Sequence, residues 1–70
     1  MEQNCFILAL EIDDGKYQPL AWTKDKLSNK QLRSVLKKFK KDKDVIRVLS
    51  MCWNCLYRNI KEAKSELSQY

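Results

Sequence analysis

The sequence predicts an α+β fold, β-β-α-β-α, with a three-stranded antiparallel sheet in the order 2-1-3 and two helices on one face. Three observations carry this. An apolar run near the N-terminus has period two, a glycine-containing turn follows it at once, and from Leu27 the apolar period lengthens to that of a helix. With 70 residues, the chain forms one small domain, residues 1–70, near the lower limit of what a single hydrophobic core sustains.

In the run from Cys5 to Ile12, Phe6, Leu8, Leu10 and Ile12 share one face, while Ile7, Ala9 and Glu11 point the other way. Asp14-Gly15 has the residue types of a two-residue hairpin turn, because both central positions of a type I′ turn need positive φ. That turn sets Asp13 opposite Lys16, Ile12 opposite Tyr17, Ala9 opposite Leu20 and Ile7 opposite Trp22. Pro19 has no N–H to give a ladder, so strand two, Lys16 to Trp22, belongs at an edge.

Ser28 with Gln31 three residues later is the capping-box pattern, flanked by Leu27 and Leu32 in the staple positions. Leu32, Val35, Leu36 and Phe39 then form a core-facing stripe on a helix predicted from Ser28 to Lys43. Lys30, Arg33, Lys37, Lys38, Lys40 and Lys41 fall on the opposite arc. A β-branched segment, Val45 to Leu49, reads as strand three, beginning near Asp44. A right-handed crossover sets it beside strand one, antiparallel to it and parallel to strand two. From about Met51, Trp53, Leu56, Tyr57, Ile60, Ala63 and Leu67 make a second helical stripe. Both helices are expected on the Phe6/Leu8/Leu10/Ile12 face. One long helix over 45–68 is the alternative reading of that apolar stretch.

The net charge of +5 is concentrated: residues 23–43 hold nine of the 14 cations and two of the nine anions. From Leu27 to Lys41 there is no acidic residue, so neighbours such as Arg33 and Lys37 repel by about 0.2–0.5 kcal/mol per pair. A solvated helix face, with cations near the C-terminal end of the dipole, accounts for part of this pattern. A polyanionic partner accounts for the single sign, since phosphates turn the repulsion into counterion release. Lysines outnumber arginines on the arc, which suits contact with a backbone better than bidentate reading of guanine.

Little else points to chemistry. The chain has no His, and its single Gly cannot build a phosphate-cradling loop, so neither an enzyme nor a cofactor is expected. Asp13 and Asp14 are accounted for by the hairpin. A zinc site needs four ligands, and three cysteines without histidine do not supply them. Cys52-Trp53-Asn54-Cys55 is similar in placement to thioredoxin-type active sites. That resemblance implies Cys52 as the attacking thiol and Cys55 as the resolving one, but the later strands and downstream Pro of that family do not follow here. Cysteines acting as small core hydrophobes are the simpler expectation.

Trp22, Ile7 and Leu20, with Ala9, are expected on a sheet face that two helices on the opposite side leave open. A patch of this kind serves a protein partner or a homodimer. Two functional expectations result. One is a non-enzymatic module contacting nucleic-acid phosphates through Lys30, Arg33, Lys37, Lys38, Lys40 and Lys41. The other is an interaction or inhibitor protein that uses the open face, pairs as a homodimer or meets an acidic protein surface. No secretory leader and no membrane-spanning run is read, and the odd cysteine count favours a reducing cytoplasmic setting.

Overall fold

A computed structural model describes residues 5–13, 15–42 and 44–70. Its elements are β1 (Phe6–Ile12), β2 (Lys16–Thr23), α1 (Asn29–Lys38), β3 (Val45–Cys52), a 3-10 turn (Trp53–Cys55) and α2 (Ile60–Glu66). The sheet order is β2-β1-β3, antiparallel at both junctions. This is the α+β topology expected, and β3 excludes a single helix over 45–68.

The two helices lie on opposite faces of the sheet, which corrects the expectation that both share one. Leu8 and Leu10 of β1 cluster with Leu27, Val35 and Val48, and α1 supplies Leu32 and Leu36 around them. Cys5, Ile7 and Ala9, on the other face of β1, cluster with Ala63 of α2, and Ile60, Leu67, Trp53, Leu56 and Tyr57 close around these. The reason lies in β1 itself. Its central five residues, Ile7 through Glu11, are all buried, so the strand is apolar on both sides and each side needs a cover. Ala63, with no exposed surface, is small enough to bring the α2 backbone close to the sheet.

The hairpin register is as expected at one end and shifted by one residue at the other. Ile7 faces Trp22 and Leu8 faces Ala21, but Ala9 faces Pro19 and Ile12 faces Lys16, with a bulge between. Leu20 is the extra residue, next to Pro19, where the missing N–H already interrupts the ladder. The strands are therefore joined through residues 13–15 and not by a two-residue turn. Asp13 and Gly15 have φ of 55° and 84°, and Asp14 lies outside the described residues. A second bulge, between Glu11 and Ile12 on the β3 side, leaves Ile46 unpaired opposite β1 and 55% exposed.

The edge of β2 is partly covered. The Trp22 amide donates to the Ser68 carbonyl (3.1 Å) and the Tyr70 amide to the Trp22 carbonyl (2.9 Å), so the C-terminal residues add a short parallel bridge there. After β2 the chain crosses to α1, anchored where the Leu27 amide donates to Ser50 Oγ of β3 (3.2 Å).

Candidate nucleic-acid interface

The start of α1 follows its sequence signature. Ser28 Oγ accepts from the Gln31 amide (3.2 Å) and Gln31 Oε1 accepts from the Ser28 amide (2.8 Å), completing the box. The end comes earlier than expected. Phe39 caps the helix and residues 39–41 form a turn, so Lys40 and Lys41 stand beyond α1. Asp42 follows at once, and its Oδ1 accepts from the Asp44 amide (3.1 Å), a local bond that competes with helical continuation. Lys43, the expected helix end, lies outside the described residues. Lys37 and Lys41 are accordingly not i, i+4 neighbours on a helix.

Lys30, Arg33, Lys37 and Lys38 are exposed on α1, and Lys40 and Lys41 are exposed on the turn after it. Val35, 2% exposed, faces the sheet from the opposite side of the helix. The only ion pair among the described residues is elsewhere, between Arg47 Nη2 and Glu11 Oε1 at 3.0 Å. The Arg47 guanidinium, through that hydrogen bond, draws the Glu11 carboxyl below the usual carboxylate range, and Tyr17 acts in the same direction. Glu11 is thus occupied on the α2 side of the sheet. No carboxylate among the described residues pairs with the α1 cations.

Two shallow grooves run beside these cations. One, about 220 Å³, is lined by Asn29, Leu32, Arg33 and Leu36 of α1 and by Arg47 and Val48 of β3. The other, about 210 Å³, is lined by Arg33, Leu36, Lys37 and Lys40. Arg33 and Leu36 border both. Sequence reasoning missed them because they depend on how α1 settles over β3. The available signal was Leu36, at the margin of the apolar stripe.

Ile7, Leu20 and Trp22 do not form one open patch. Ile7 is wholly buried under α2. The bulge turns Leu20 to the α1 side, where it packs against the Leu8/Leu10 cluster. Trp22 stays on the α2 side, half-buried, with Lys64 Nζ 4.6 Å from its ring centroid. The open sheet face is therefore filled by the protein's own second helix.

The cysteines are free, with Cys5 buried and Cys52 and Cys55 exposed. Burial raises the Cys5 thiol above its ordinary range, against a smaller opposing pull from Lys64. Cys52 ends β3, and only a single 3-10 turn follows it, so the pair does not sit at the N-terminus of an α-helix. That helix begins at Ile60, capped by Asn59, whose Oδ1 accepts from the Glu62 amide (2.8 Å). The described residues contain no group of three or more His, Cys, Asp or Glu arranged to hold a metal. Among them, no helix is long and apolar enough to cross a membrane. Comparison with protein-family models, with curated proteins and with solved structures finds no match.

Proposed function

We propose that this protein is a small non-enzymatic module that binds nucleic acid through the phosphate backbone, using the cationic surface of α1 and the turn after it. One observation carries the reading: six cations, Lys30, Arg33, Lys37, Lys38, Lys40 and Lys41, are exposed on α1 and the turn after it with no ion-pair partner among the described residues. Such a surface gains counterion-release free energy on meeting phosphates, and its lysines favour binding that depends little on sequence. A reducing cytoplasmic setting is part of the proposal, based on the odd cysteine count. Titrating a labelled oligonucleotide at several salt concentrations tests it. Engagement of about four phosphates predicts a slope near −3 to −4 in log K against log salt. Absence of binding at low salt contradicts the reading.

A protein partner is the second reading, favoured by β3 being an outer strand of the sheet with Ile46 55% exposed. An acidic segment added along that edge would gain main-chain hydrogen bonds. A stable complex with an acidic peptide, unaffected by competing oligonucleotide, would favour it over the first.

A further inference from the structure

We infer that the nucleic acid preferred by the α1 surface is single-stranded, with unstacked bases entering the two grooves beside Arg33 and Leu36; this rests on the phosphate-binding reading above. A ridge that met only phosphates would need cations and nothing else. Here the cations border apolar ground. Leu32, Leu36 and Val48 line the first groove between Arg33 and the β3 edge, and Leu36 continues into the second between Arg33, Lys37 and Lys40. The grooves are similar in volume, about 220 and 210 Å³, and share a wall. Each is open and large enough for one planar ring.

A ligand that matches this pattern must alternate anionic groups with flat apolar ones at short intervals. A single strand does so at every nucleotide. In a duplex the base faces are stacked inside and only phosphates and groove edges reach a protein. Arg33 is suited to both parts of such a ligand, because its guanidinium pairs with phosphate and its plane stacks on a base. Asn29, at the head of the first groove, offers an amide to a base edge. Arg47 is bonded to Glu11, so the free charge comes from the helix side and orients the strand's phosphates toward α1.

The test uses the full 70-residue chain and three labelled probes of equal length: a deoxythymidine single strand, the same strand with every base removed, and a duplex. Fluorescence anisotropy at one moderate salt concentration gives the affinities, with polyglutamate as an acidic competitor. The inference predicts that the base-bearing strand binds about tenfold or more tighter than the abasic strand, tighter than the duplex as well, and is not displaced by polyglutamate at equal charge. L36S should reduce the preference for bases, and the abasic comparison on the unaltered chain needs no variant. Equal, salt-sensitive affinity for all three probes overturns this inference and leaves the phosphate reading standing. Displacement of the strand by polyglutamate at equal charge also overturns it. Failure to bind any probe overturns both.

Discussion

Glu11 of β1 and Arg47 of β3 face each other across the sheet, with Arg47 Nη2 3.0 Å from Glu11 Oε1. Glu11 is 5% exposed, whereas the Arg47 side chain is largely in solvent. The pair therefore joins a buried acid to an accessible base at the margin of the α2-side cluster. Because Glu11 is more acidic folded than unfolded, its contribution to stability is complete above the ordinary carboxylate pKa and is lost as pH falls through the lowered folded value. Thermal melts across the acid range should show stability declining in that window. E11Q should flatten this part of the profile.

Ile7 provides the clearest check on which face α2 covers. With no exposed surface and Ala63 against it, I7A should cost roughly 2–5 kcal/mol in denaturant unfolding, as expected for a filled core position. An open sheet face would tolerate the change with a far smaller loss.

The topology was legible because its signals are local. Pro19 marks an edge, the Ser28/Gln31 pair marks a helix start, and β-branched residues mark β3, so the 2-1-3 order follows from chain direction and crossover handedness. The side on which α2 packs was not legible, because Ile7 and Ala9 read equally well as an exposed half-apolar face. Only tertiary packing decides between those outcomes. The register slipped at Leu20, since an Asp-Gly pair suggests a two-residue turn and a bulge beside Pro19 leaves no separate trace in sequence. Asn59 with Glu62 was a readable helix start that the longer apolar stripe from Trp53 obscured. The cationic surface was legible residue by residue, but the grooves beside it depend on the settling of α1 over β3.

The cap at Ser28 is reciprocal, and its loss exposes the first turn of the helix that holds Lys30 and Arg33. S28A should destabilise the protein by about 0.5–2 kcal/mol. Circular dichroism during denaturant titration measures it, and an unchanged midpoint would show that the cap does not stabilise α1.

The C-terminal bridge gives β2 its added partner. Removing residues 68–70 deletes the bonds from the Trp22 amide to Ser68 and from the Tyr70 amide to Trp22, a net loss of about 1–3 kcal/mol at 0.5–1.5 for each. Hydrogen exchange should then report lost protection at the Trp22 amide, with β1 amides retaining theirs.

Charge reversal on α1 asks whether its cations are what nucleic acid meets. R33E combined with K37E, two exposed positions, should leave the melting temperature close to that of the unaltered chain. It should weaken oligonucleotide binding at least tenfold and reduce the salt slope by about two, one for each phosphate contact removed. Affinity and slope both unchanged in the folded double variant would contradict the assignment of the α1 cations as the binding surface.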